Sequence, residues 1–161
     1  MAQHVCSLKF DAERDGGPLS VASGDDYHLV PFPYGSAESY DPDNMHAETR
    51  DGTRHPFPSD RASGLIWPGH QAWGRLYAMI QWETASGGAA TELRDQFARD
   101  PLGKIDTTCT EHRGATPGMQ CFAKSWAMFV SPDVPLGLRV AHNASRSLDV
   151  VLAEFKLEYE A

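Results

Sequence analysis

The chain has 161 residues, 41% of them hydrophobic, which fits one folded domain with a sizeable core and leaves no room for a second. Its formal net charge of −8, with no run of Lys or Arg, argues against docking on nucleic acid or an anionic bilayer. No apolar stretch reaches the ~20 residues of a membrane span, and the opening segment lacks the basic-then-apolar layout of a signal peptide, so the expectation is a soluble product made in the cytoplasm.

Residues 1–74 read as an extended, proline-rich and loop-rich arm. Pro31, Pro33, Pro42, Pro56, Pro58 and Pro68 punctuate the stretch too often for long helices or central strands. Tyr27, Leu29, Val30, Leu65 and Ile66 are scattered through it, and apolar groups of this size need something to pack against. The arm is therefore expected to lie on its own core or on a neighbouring subunit. Phe32, Tyr34, Tyr40, Phe57, Trp67 and Trp73 are the candidate interface or ligand-contact residues, because aromatic faces suit partner surfaces and sugars alike.

Residues 75–161 have a different texture. In the stretch from Arg75 to Glu83, Leu76, Ala78, Ile80 and Trp82 share one face, a period of two that predicts a strand, and Ser86, Gly87 and Gly88 predict a turn after it. Thr91 to Arg99 fits both a helix and a strand, since Leu93 and Phe97 satisfy either spacing; its length and the Asp100-Pro101-Leu102-Gly103 turn favour a strand. Thr107 to Met119 reads as turn-rich. Cys121 to Val130 follows as a strand with Phe122, Trp126, Met128 and Val130 on one face, so Trp82 and Trp126 are assigned to the core. Leu136, Leu138 and Val140 mark another strand. The last strand runs from Leu148 to Tyr159, with Val151, Ala153, Phe155, Leu157 and Tyr159 to one side. Several short strands separated by Gly and Pro predict an all-β chain, an antiparallel β-sandwich or jelly roll carrying the amino-terminal arm.

Sequence motifs for chemistry are sparse. Neither GxGxxG nor GxxxxGK[ST] occurs, which argues against nucleotide binding. His4, His28, His46, His55, His70, His112 and His142 form no HxH, HxxxH or HExxH spacing, so no metal or other cofactor is expected. The oxygen-rich Asp41-Pro42-Asp43-Asn44-Met45-His46 lacks the turn glycine and distal Glu of a calcium loop and reads as a turn held by side-chain-to-backbone hydrogen bonds. Cys6, Cys109 and Cys121 give an odd count without CxxC spacing; reduced thiols are expected, with a Cys109–Cys121 bridge as the alternative. No GxSxG elbow is present, although sequence leaves open a cysteine with a spatially adjacent histidine. The chain is read as a non-enzyme with no catalytic residues.

Ser63-Gly64-Leu65-Ile66-Trp67-Pro68, Leu76 to Glu83, Phe97-Ala98-Arg99-Asp100-Pro101, Asp106-Thr107-Thr108, Arg139 to Ser145 and Ala153 to Leu157 together resemble small minor tail proteins of long-tailed bacteriophages. Pro31-Phe32-Pro33 and Met45-His46 add a weaker echo. The carboxy-terminal part also resembles jelly-roll modules of the tumour-necrosis-factor and complement type, which commonly form trimers. The resemblance implies a virion structural protein of the tail or baseplate, made in the host cytoplasm, with other virion proteins as partners, a homotrimer as the favoured oligomer and a host-surface glycan as a further contact. A capsid decoration protein and a carbohydrate-binding or carbohydrate-degrading host-recognition module are the alternatives.

Overall fold

The computed structural model describes residues 1–35, 40–85 and 90–161, and among them nine strands form, several where apolar and polar side chains alternate. They are β1 (Gln3–Asp11), β2 (Leu19–Val21), β3 (Gly24–Leu29), β4 (Ala72–Ala85), β5 (Glu92–Arg99), β6 (Thr107–Gly114), β7 (Gly118–Val130), β8 (Leu136–His142) and β9 (Leu148–Glu160). One antiparallel sheet has the order β1-β9-β4-β7, with β2 added to β9 beside β1; the other has the order β3-β8-β5-β6. Apart from β5 and β6, paired strands are not consecutive in sequence, the pattern of a jelly roll. The predicted turn at Ser86, Gly87 and Gly88 lies outside the described residues.

The two sheets close on a core of inward rows. Phe155 of β9 lies at its centre, its ring 5.9 Å from Phe97 and 6.3 Å from Phe32. All three rings are fully buried, and burying a phenylalanine stabilises by about 1.5–3 kcal/mol. His142 links the layers at one edge. Its Nδ1 accepts from the Ala144 amide at 3.1 Å, so the ring is the Nε2–H tautomer and donates to the Val21 carbonyl of β2 at 2.8 Å. Trp82 packs edge-on against the same imidazole, 5.6 Å between ring centres.

The amino-terminal region differs from the expected arm. Cys6, Leu8 and Phe10 of β1 are all fully buried, and β1 pairs with β9 along its whole length, from Gln3 opposite Glu160 to Asp11 opposite Leu152. Thus the first 29 residues supply three strands to the sandwich. The reason is visible locally: the alternation through Cys6, Leu8 and Phe10 ends before the first proline, Pro18. Proline governs residues 30–35 and 40–71, which make a loop layer over the core, with Phe32, Met45 and Ile66 buried from it. The expected 74/75 boundary falls within β4, between Gly74 and Arg75.

Side chains fold this layer. The Asp41 carboxylate accepts from the Met45 amide at 2.8 Å and the His46 amide at 2.7 Å, so the oxygen-rich segment is a side-chain-stapled turn. Asp60 caps the short 3₁₀ turn Arg61–Gly64 by accepting from the Ala62 amide. That turn presses so closely on the chain that a Cβ on Gly64 would stand 2.0 Å from the Val30 carbonyl oxygen.

Thr91 to Arg99 is strand, as read, but Thr107 to Met119 is mostly strand too. β6 pairs with β5 from Thr107 opposite Arg99 to Gly114 opposite Glu92. Being an edge strand with no fully buried residue, it carries no hydrophobic period to read. The last residues of the sandwich close on the first: the Ala2 amide donates to Ala161 at 2.7 Å and the Ala161 amide to Ala2 at 3.1 Å.

Candidate interaction surface

The six aromatic candidates do not form one site. Phe32 is fully buried in the core. Phe57 is half-buried with its ring 6.0 Å from Phe10. Tyr34 stacks on His46 at 4.4 Å, and burial with nearby carboxylates pushes its hydroxyl up to about 12. Trp67 is half-buried, and its amide donates to the Met45 carbonyl at 2.7 Å. Two of the six are exposed. Tyr40, 59% exposed, bridges Ser7 of β1 at the sheet edge, while Trp73, 66% exposed, lies two strands away on β4. Phe32 and Phe57 serve the protein's own core because the proline-rich loops fold back over it.

Trp73 instead belongs to an exposed apolar group centred on β7, which sequence reading missed. Its direct cross-strand partner is Phe129, 45% exposed. Met119 (64%) and Trp126 (49%) are exposed on the same strand. Trp126 lies on the row facing into the sandwich, opposite Leu76, yet it is not covered, because β7 ends its sheet. Phe129 was legible as an outward residue, since it alternates with Met128 and Val130. Trp126 was not, because only the position of the edge exposes it.

A cationic seam closes this side. Lys124, on the same inward row as Trp126, has its Nζ 2.8 Å from Asp95 Oδ1 and donates to the Cys109 carbonyl at 2.9 Å. Arg113 binds the other Asp95 oxygen at 2.6 Å, lies 5.0 Å over the Phe122 ring and donates to the Ala123 carbonyl. Arg99 donates to the Phe129 carbonyl at 3.1 Å and is held by Asp106, whose carboxyl the guanidinium keeps below its ordinary range. Cations from the second sheet thereby occupy backbone carbonyls of β7. A strand with its carbonyls so engaged is a poor template for adding another strand, so a partner would meet side chains here.

The outer face of the first sheet continues the surface. Tyr77, 37% exposed, donates to Glu158 at 2.6 Å, and Glu158 also faces Arg75 at 3.5 Å. The Tyr77 hydroxyl is raised by that hydrogen bond. A depression of about 270 Å³ beside them is lined by Gln3, Trp73, Arg75, Glu158 and Glu160. No group of three or more His, Cys, Asp or Glu placed to hold a metal occurs among the described residues. All three cysteines are free: Cys109 lies on β6 and Cys121 on β7, strands that are not paired.

No protein-family model matches the sequence, and no curated protein is similar to it. Its fold is similar to solved structures of the tumour-necrosis-factor type. A structure of Eiger TNF from S. frugiperda superimposes with a TM-score of 0.53 at 15% identity, over 98% of this chain and 94% of that one. Murine APRIL at pH 5.0 does so with a TM-score of 0.53 at 10% identity, over 99% of this chain and all of that one. At such identities the likeness establishes the jelly-roll fold alone.

Proposed function

We propose that this chain is a non-catalytic assembly subunit of a long-tailed bacteriophage, a tail or baseplate component that associates with itself, as a trimer, and with other virion proteins. The observation that carries self-association is the exposed aromatic group Trp73, Trp126 and Phe129 at and beside the edge strand β7. Exposed large apolar side chains are costly in water and mark contact surfaces; Trp73 and Phe129 share the outer face of the sheet, and Trp126 stands on the other row of the edge strand. The edge of one copy, with Trp126 and Phe129, laid on the sheet face of the next, with Trp73 and Tyr77, is a head-to-tail contact that closes into a ring when the rotation allows. Three-fold closure and the virion setting rest on the resemblance read from the sequence, and the jelly-roll fold is compatible with a trimer.

Trp126→Ser combined with Phe129→Ser tests the contact, since both residues are already solvent-exposed and their loss leaves the core intact. Light scattering is expected to give three chains for the parent protein and one for the variant, with unchanged circular dichroism. A parent protein that remains monomeric at high concentration, or a variant that still assembles, overturns self-association through this edge. Immunogold labelling of purified particles tests the setting: label on tails supports it, and label on heads transfers the protein to capsid decoration. A second reading follows from the depression beside Trp73, where an exposed indole adjoins Arg75 and Glu158, the pairing of a stacking face with polar groups that suits a sugar. Glycan binding lost in Trp73→Ala, with assembly retained, favours that reading.

A further inference from the structure

A cleft of about 270 Å³ opens on the opposite side of the sandwich from β7, where β2 and β3 come from different sheets and leave a gap between them. Its volume is near the lower end of the roughly 300–1,000 Å³ typical of small-molecule sites. The walls are aliphatic, with Leu19 and Val21 from β2, Val30 beyond β3, Val140 from β8 and Val150 from β9. The mouth carries one fixed positive charge, that of Arg61. Arg61 and His28 both line it, and Arg61 forms no ion pair among the described residues. In a chain with 22 acidic and 14 basic residues, most other arginines hold a carboxylate, as Arg54 holds Glu48, Arg75 Glu158, Arg99 Asp106, Arg113 Asp95 and Arg146 Glu83. The carboxylate adjacent to Arg61 in sequence, Asp60, is already engaged by the His55 ring at 2.8 Å and the Ala62 amide at 2.9 Å.

We propose that this cleft binds a small aliphatic carboxylate, with its head group on Arg61 and His28 and its chain against Leu19, Val21 and Val150. A guanidinium presents a planar fork that matches a carboxylate, and the aliphatic walls remove a short hydrocarbon chain from water at about 0.8 kcal/mol per methylene. The two features converge at one opening, so a carboxylate joined to an aliphatic chain satisfies both. The imidazole of His28 adds a second hydrogen-bonding group beside the head. Burial, and then the neighbouring Arg61 charge, lower its pKa against the opposing pull of Asp26, so the imidazole serves as a neutral hydrogen-bonding group and the charge that attracts the anion is that of Arg61. The proposal is independent of self-association, which uses the other side of the molecule.

Octanoate is the probe, with octanol as its uncharged counterpart, titrated into the full chain and followed by amide chemical shifts. Saturable one-to-one binding is expected, with shifts confined to residues 18–21, 28–31 and 58–61, and octanol weaker by tenfold or more. Arg61→Ala is expected to lower octanoate affinity at least fivefold, and Arg61→Lys to retain part of it; Arg61 is exposed, so both variants should fold. Absence of saturation below about 10 mM, equal binding of octanol, shifts centred on Trp73, or unchanged affinity in Arg61→Ala would each overturn the proposal.

Discussion

Lys124 and Asp95 form an ion pair across the sandwich, Nζ to Oδ1 at 2.8 Å, with their side chains 1% and 4% exposed. Lys124 comes from β7 of one sheet and Asp95 from β5 of the other, so the pair joins the two layers. The ammonium also lies 4.9 Å from the centre of the Phe97 ring. Removing one member of a buried pair leaves the other charge without its partner. Lys124→Met is therefore expected to cost about 3–5 kcal/mol in urea denaturation. Arg113 still holds the second Asp95 oxygen, so the loss should fall toward the lower end of that range; in the double variant Asp95→Leu with Lys124→Met no buried charge remains and Arg113 keeps Glu111, so part of the loss should be recovered. A single variant as stable as the parent would show that the pair is not carrying the edge.

Gly64 offers a steric prediction. A Cβ there would meet the backbone oxygen of Val30 at 2.0 Å, and backbone cannot swing aside as a side-chain tip can. Gly64→Ala should destabilise by at least about 1–3 kcal/mol, the usual cost of overpacking, and loosen the 3₁₀ turn from β3. Gly114→Ala is the control, because open space surrounds that position. A melting temperature lowered by Gly64→Ala and left in place by Gly114→Ala is the expected result.

Stability should fall as pH drops from about 7.5 to 5, the range in which histidines titrate. Burial lowers the pKa of His46, outweighing the opposing effects of its hydrogen bond to the Ser63 carbonyl and of Asp41. A folded pKa below the unfolded one stabilises above the unfolded value of about 6.5, and that contribution is lost as pH falls through the folded value. His28, lowered mainly by burial, acts in the same direction. His55 acts oppositely. Hydrogen bonds to Asp60 and then Asp51 raise its pKa, so its contribution is complete below about 6.5 and lost as pH rises through the folded value; its partners' exposure to solvent keeps the effect small. Urea midpoints across this range should flatten in His46→Gln and steepen in His55→Gln.

The three thiols should react with Ellman's reagent in a fixed order. Cys121 is exposed, Cys109 is half-buried with its thiol raised by burial, and Cys6 is buried with its thiol raised well above the ordinary range by burial and Asp41. The thiolate is the reacting species, so Cys121 should label first and Cys6 only on unfolding. Labelling of Cys6 together with Cys121 would mean that β1 separates from β9 in the native protein.

Alternation made much of the sandwich legible in the sequence. Leu76, Ala78, Ile80 and Trp82 are buried on β4 as their period predicts. On β9 the prediction holds for Ala153, Phe155, Leu157 and Tyr159 and fails for Val151. There the pairing with β4 shifts between Gln81 and Trp82, so Val150 and Leu148 point inward, and a bulge of this kind leaves no mark in a period count. β1 was hidden by weighing the prolines of a whole region against a strand that precedes them all. The candidate surface was less legible, because which face of an edge strand stays open depends on strand order, and strand order joins residues as distant as Leu76 and Trp126.

The mutual hydrogen bonds of Ala2 and Ala161 set where anything joined to this domain must emerge. A polypeptide fused to the front and another fused to the back leave side by side from a single pole of the molecule. The unit can therefore be spliced into a surface loop of an unrelated protein without prising its own sheets apart, and a circular permutant that bridges the two ends with a short linker should fold. In a ring of such subunits, all the attached chains would issue from the same side, like stems gathered in one hand.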